Sequence, residues 1–151
     1  RGCYVAELSE RDLDEIFPVL ALLEGRVAEE ATCRLASADF ARLAAIHAAL
    51  EEHAAANDID RFFEANQAFH NALQDLAGNR WLSQLIDDTR KFLKLTRRDS
   101  LRLDGRVHQS LAEHRAILAA IKKQDAAAAA LQMHNHILSG RAALAKLLTQ
   151  G

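Results

Sequence analysis

Glu64-Ala65-Asn66-Gln67-Ala68-Phe69-His70-Asn71-Ala72-Leu73 is the stretch whose reading decides the fold. As a helix it places Asn66 and His70 one turn apart on one face, where an amide oxygen and an imidazole can converge on one point. Phe63, Phe69, Leu73 and Leu76 line that side and its flank, which makes it the buried side. A polar pair on a buried stripe costs stability unless it finds partners. Two further histidines, His114 and His136, fall on the apolar faces of two later helical stretches. The pattern predicts that Asn66, His70, His114 and His136 meet in the middle of a helical bundle around a metal ion.

Composition supports a helical reading of the whole chain. Its 151 residues fit one domain and can bury a real core. Hydrophobic residues make up 50%, with Ala and Leu far outnumbering β-branched and aromatic residues. One proline and six glycines leave little punctuation for a many-turned β fold. A formal net charge of -2 gives no electrostatic case for gripping nucleic acid with this chain. Cys3 and Cys33 do not form a spaced framework, so a reduced cytoplasmic setting is the default. No apolar run approaches membrane length, and no signal peptide is visible in this stretch. The chain opens at Arg1-Gly2-Cys3 without methionine, which reads as part of a longer protein.

Working outward, residues 1–8 read as a short extended piece entering from a neighbouring domain. Ser9 is an N-cap with acids in the turns that follow, and helix one runs to about Ala36 on Leu13, Ile16, Phe17, Leu20, Leu23, Val27 and Ala31. Pro18 inside it predicts a kink or a break. Helix two is expected to start at an N-cap Ser37 and to fade by Asn57. Helix three opens at Asp58 or Asp60 and stops at Ala77-Gly78-Asn79, a C-cap signal. Helix four, from Arg80 to about Arg98, points Leu82, Leu85, Ile86, Phe92 and Leu93 inward, and its last turns are basic: Arg90, Lys91, Lys94, Arg97, Arg98. Ser100 to Arg106 reads as the longest connection and a mobile loop. Helix five aligns Val107, Leu111, His114, Leu118 and Ile121, and helix six runs from Asp125 to about Leu148. The fold expected is all-α, an antiparallel bundle of about six helices.

The remaining histidines read as peripheral. His47 and His53 stand among Ala and Glu and are assigned to the surface, as is His108 beside a polar loop. His134 is two residues from His136 and points elsewhere. A lone core histidine is more often a hydrogen-bonded structural residue than a ligand. What favours a shared site is that His70, His114 and His136 all occupy core-facing slots on helices expected to be neighbours. Imidazoles suit zinc, nickel, copper or iron. Three histidines around an open position could also activate water in a hydrolase. Against that reading, Glu113 adjoins His114 but should face elsewhere, and there is no phosphate loop or activated Ser or Cys nucleophile. No catalytic residue is assigned.

Several stretches in order carry a family resemblance. Asn66-Gln67-Ala68-Phe69-His70-Asn71-Ala72-Leu73, Ala77-Gly78-Asn79, Glu113-His114-Arg115-Ala116-Ile117-Leu118-Ala119-Ala120-Ile121 and Met133-His134-Asn135-His136-Ile137 resemble the FCD domain. That is the effector-binding, C-terminal domain of FadR-subfamily GntR transcription regulators. Gly2-Cys3-Tyr4-Val5-Ala6 resembles the last strand of a winged helix-turn-helix, and Leu13-Asp14-Glu15-Ile16-Phe17 the linker and first helix. The resemblance implies a division into residues 1–8, the end of an absent N-terminal DNA-binding domain or linker, and residues 9–151, the sensing domain. It implies a divalent transition metal, assigned first to zinc and second to nickel, held by Asn66, His70, His114 and His136. It also implies a small carboxylate metabolite as effector, a homodimer, a cytoplasmic location and DNA binding only through the absent domain.

Many members have Asp where this chain has Asn66. The change removes a negative charge from the ligand set, which weakens metal binding and leaves the full charge of the ion for a carboxylate. The position where members often carry an effector-binding arginine on helix one is Leu20 here. Arg90, on the Ile86/Leu93 side of helix four, is assigned as the substitute, against the plainer reading of an exposed salt-bridging residue. Two alternatives keep the fold: a metal-free pocket of hydrogen-bonded histidines, and a dimerisation module without ligand.

Overall fold

The computed structural model describes residues 8–150, the side chain of Leu95 aside. Residues 1–7, with most of the expected extended entry and Cys3, lie outside the described residues. Among the described residues the chain forms six helices: α1 Glu10–Arg34, α2 Ser37–Ala55, α3 Ile59–Ala77, α4 Arg80–Ser100, α5 Arg106–Lys122 and α6 Ala126–Gln150. The all-α bundle expected from the apolar periodicity is the observed architecture.

Short polar side chains set most of the helix starts. The Ser9 hydroxyl accepts from the Asp12 N–H at 3.1 Å while the Asp12 carboxylate accepts from the Ser9 N–H at 2.9 Å, so two end groups are satisfied reciprocally. Asp58 caps α3 by accepting from the Arg61 N–H, Asn79 caps α4 by accepting from Leu82, and Asp125 accepts from the Ala128 N–H at the start of α6. Gly78 ends α3 at φ 67, a left-handed conformation that disfavours a side chain. At α2 the expectation is corrected. Ser37 is the first helical residue and Ala36 the N-cap, and the Asp39 carboxylate takes the Ala36 N–H at 2.9 Å.

Pro18 does not break α1. The carbonyl that its missing N–H would have engaged belongs to Asp14, and both residues are exposed, so water can take the acceptor. Leu13, Phe17, Leu20 and Ala21 on the opposite face hold both halves of the helix on the core. The connection after α4 is also tighter than expected. Leu101 is buried, and Leu101, Arg102 and Leu103 each donate a backbone hydrogen bond three residues back.

α1 packs most extensively against α6 and also touches α3 and α4. The pairs α2/α3 and α5/α6 pack as helical hairpins across short links, and α5 leans on α2. Close approach of α1 and α6 depends on Gly25, where an added Cβ would stand 3.2 Å from the Ala130 carbonyl oxygen. Phe17, Phe62 and Phe69 are fully buried. Each stabilises by about 2–3 kcal/mol through the apolar area removed from water. On α4, Leu82, Ile86 and Leu93 face the core, but Leu85 and Phe92, expected inward, are 52% and 67% exposed. They share a stripe with exposed Trp81, turned roughly a quarter of a revolution from the buried line and covered by no described helix. Among the described residues no helix is long and apolar enough to cross a membrane.

Candidate metal centre

Three helices bring His70, His114 and His136 together in the bundle interior. His70 projects from α3 between Asn66 and the Phe69–Leu73 side, His114 from α5 and His136 from α6, and all three are buried. Ring centroids lie 5.5 Å apart for His70 and His114, 5.5 Å for His70 and His136, and 4.5 Å for His114 and His136. One nitrogen from each ring lies within 4.8 Å of the other two. Two imidazole nitrogens bound to one tetrahedral zinc at about 2.1 Å stand about 3.4 Å apart, so small ring movements suffice to close the set.

Two of the opposite nitrogens of these rings are hydrogen-bonded, and the third stands close to a carboxylate. Nδ1 of His114 lies 2.8 Å from the Ser110 carbonyl oxygen, and Nδ1 of His136 lies 2.6 Å from a Glu113 carboxylate oxygen. Nδ1 of His70 faces Glu24 on α1 at 2.9 Å. An acceptor at Nδ1 fixes the proton there and leaves Nε2 as the lone-pair donor, the usual support for a metal-bound histidine. Nε2 of His114 and of His136 is buried and has no hydrogen-bond partner among the described residues. Nε2 of His70 meets the Asn66 amide oxygen at 3.1 Å, so the fourth sequence-assigned residue also stands at the centre. Three imidazoles with inward lone pairs and an amide oxygen are a donor set that fits a borderline divalent ion.

Electrostatics favour neutral rings. Burial pushes His70 down to about 4, against the opposing pull of Glu24. Burial, then the neighbouring His136 and His70, hold His114 well below its ordinary value. Burial also lowers His136, although Glu113 works the other way. For Glu113 burial raises the carboxyl, but His136, Ser139 and Arg106 together prevail and it sits below the usual range. For Glu24 burial likewise raises, and Arg90, His70 and Arg97 outweigh it, so the carboxylate stays ionised deep in the protein.

Glu24 and Glu113 are the functional residues that sequence reasoning missed. Glu113 does not serve its neighbour His114. It reaches across to α6, where it accepts from His136 and from the Ser139 hydroxyl at 2.5 Å, and it is braced by buried Arg106 at 3.2 Å. Glu24 is 2% exposed and is shared by His70 and Arg90. Arg90, assigned from sequence, does stand at the site: its side chain is only 15% exposed, pairs with Glu24 and lies 3.4 Å from the Asn71 amide oxygen. His47, assigned to the surface, is buried on the inner line Leu43-His47-Leu50-Ala54 of α2, outside the three-histidine group but near enough for its charge to act on His114. His108 is exposed as expected.

An inner cavity of ≈ 20 Å³, lined by Phe63, Asn66, Gln67, His70, Arg90, Lys94 and Arg97, touches the centre. It has room for about one water. It shares Gln67, Arg90 and Lys94 with a wide groove of ≈ 610 Å³ between α3 and α4 that opens to solvent.

Fold and site together define an all-α effector-binding domain. The chain belongs to the FCD domain family, whose profile matches residues 15–139. It is therefore a regulatory domain and not an enzyme. It is 29% identical over 133 residues to the uncharacterized HTH-type transcriptional regulator YdhC of Bacillus subtilis (strain 168), covering 85% of this chain and 58% of that protein. The chain thus spans less than two thirds of that relative. Among solved structures it is similar in fold to E. coli McbR/YncC, with a TM-score of 0.84 at 19% identity over 93% of this chain and 71% of that one. Streptococcus agalactiae GntR is similar with a TM-score of 0.69 at 26% identity, over 87% of this chain and 60% of that one.

Proposed function

We propose that this chain is the sensing domain of a bacterial GntR-type transcription regulator. In this reading it binds a divalent transition metal, zinc before nickel, through Asn66, His70, His114 and His136, and a small carboxylate effector beside it. The observation that carries the proposal is the set of three buried imidazoles whose Nδ1 atoms each face an acceptor on the protein while the cluster turns inward. Bound there, the ion supplies a Lewis-acidic position for a carboxylate. Arg90 stands at the mouth of the same cavity and contributes a guanidinium to the effector.

DNA binding belongs, in this proposal, to a winged helix-turn-helix domain outside the chain, in keeping with the relative described as an HTH-type regulator. The regulator works as a homodimer in the cytoplasm. The effector acts by linkage, shifting the paired DNA-binding domains only as far as its affinities for their two arrangements differ.

Purified without chelator and loaded with zinc, the chain is expected to hold about one equivalent by elemental analysis. His114→Ala should lose both the metal and any carboxylate-induced rise in melting temperature while its circular dichroism stays helical. Retained zinc and an unchanged carboxylate response in that variant would sink the assignment. A wild-type chain that takes up no zinc leaves the metal-free pocket, in which His70 carries its proton on Nε2 instead and donates it to the Asn66 amide oxygen.

A further inference from the structure

Arg90, Lys94 and Arg97 follow one another at i, i+4 and i+7 along α4, so one helix face sets three cations against the inner cavity. Glu24 answers Arg90. The side chains of Lys94 and Arg97 have no hydrogen-bond or ion-pair partner among the described residues, and Glu24 is the carboxylate whose charge acts on Arg97. Asp75 and Asp87 line the wider groove but not the inner cavity, and Asp87 already accepts from the Gln74 amide. Asp60 and Glu64 line a neighbouring recess, where Asp60 pairs with Arg98.

We propose that the effector of this site is at least a dianion, one carboxylate reaching the histidine centre and a second anionic group, carboxylate or phosphate, seated between Arg97 and Lys94. This rests on the reading of the site as a metal and carboxylate centre. The inner cavity holds about one water, so an entering ligand must displace side chains that line it, and beside Phe63, Asn66 and Gln67 three of those are cations. A monocarboxylate filling the space would strip water from Arg97 and Lys94 and give neither a partner, and an unpaired cation at a newly dried contact is costly. A second anionic group turns that cost into charge-assisted hydrogen bonds, with Arg97 able to offer a two-pronged contact. Arg97 is already the least comfortable of the three. Burial first, then the like charges of Arg90 and Arg106, outweigh the opposing pull of Glu24 and lower it to about 10.

The test is calorimetric titration of the zinc-loaded chain with matched pairs: butyrate against succinate, and glycerate against 3-phosphoglycerate. Zinc content is measured in each sample. At least one dianion should bind about tenfold or more tighter than its monoanionic partner. A preference confined to succinate names a carboxylate as the second group, and one confined to 3-phosphoglycerate names a phosphate. In Arg97→Gln the preference should collapse to about threefold or less with zinc stoichiometry intact, and Arg97→Lys should restore part of it. Equal binding of monoanion and dianion by the zinc-loaded wild type, or full preference in Arg97→Gln, overturns the dianion proposal and leaves the metal-carboxylate reading standing. No zinc uptake, or no binding by any of the four acids, overturns both.

Discussion

Replacing Glu24 with Gln should destabilise the metal-free domain by about 3–4 kcal/mol. The carboxylate is 2% exposed and held between Arg90 and His70, and the substitution conserves volume and one acceptor oxygen while removing the charge. What remains is Arg90, itself largely buried, without its counter-ion. Breaking a buried pair from one side leaves an uncompensated charge, and the lower part of the usual range applies because Arg90 keeps some access to water. With a urea slope of about 1–3 kcal/mol/M, the unfolding midpoint should fall by about 1–2 M. The double variant Glu24→Gln with Arg90→Met removes both charges and should recover much of the loss, giving a coupling of about 2 kcal/mol in the double-mutant cycle. The pH profile supplies a second check. Because Glu24 is held well below its ordinary value, its contribution is full above the unfolded-state carboxyl range and is lost only as pH falls into the acid region. If Glu24→Gln unfolds within about 0.5 kcal/mol of wild type at pH 7, the pair is not a buried, charged one and the reasoning fails.

The metal-free domain should also weaken between pH 6.5 and about 4. With His70 pushed down from 6.5 to about 4, protons bind the unfolded chain first as pH falls, so stability is full above 6.5 and declines toward 4. The difference of 6.5 − 4 converts to a loss on the order of 3 kcal/mol for this residue, with His114 and His136 acting in the same direction. Urea midpoints that stay flat from pH 7 to 4.5 would contradict neutral buried imidazoles. Glu113→Gln should weaken zinc binding by about 10–100-fold in competition with a chromogenic chelator, because His136 loses its charged acceptor. Unchanged affinity would mean that Glu113 does not act through His136.

The residues of the centre were legible in the sequence because each lies on an apolar line of known period. Asn66 and His70 repeat at four residues among phenylalanines, and His114 falls between Leu111 and Leu118. The carboxylates behind them were legible only in part. Glu24 interrupts the otherwise apolar line Leu20-Ala21-Val27-Ala28-Ala31, and an acid on a buried stripe is the same signal that exposed His70. His47 follows the same logic on Leu43-Leu50-Ala54, and its alanine and glutamate neighbours hid it. Glu113 could not be found this way. Its partner sits on another helix, and the register of α5 against α6 is a tertiary fact that periodicity within one helix does not contain. Leu85 and Phe92 mislead for a related reason: an apolar stripe says that a face avoids water, not that this chain covers it.

Placing Glu24 and Glu113 at the site changes what Asn66 means for the proposed centre. Judged by the ligands alone, an amide in place of a carboxylate leaves three neutral imidazoles and a weakly held ion. Yet His70 and His136 each face an ionised carboxylate through Nδ1, so two negative charges stand one imidazole away from the ion's position. Charge transmitted through the ring raises the basicity of Nε2, so negative charge stands behind the ligands instead of among them. That arrangement keeps the inner face free of anions, which suits a cavity meant to admit one. It also makes Arg90 the point of competition. Its guanidinium binds Glu24 of α1 in the structure described here, and an effector carboxylate arriving at the same cavity offers it a second anion. Any share of Arg90 that the effector takes is taken from the tie between α4 and α1, the helix nearest the N-terminus of the chain. Under the proposed function the differential contact required of an effector falls at this ion pair, and Arg90→Lys, which keeps the charge but loses the fork, should weaken coupling more than it weakens metal binding.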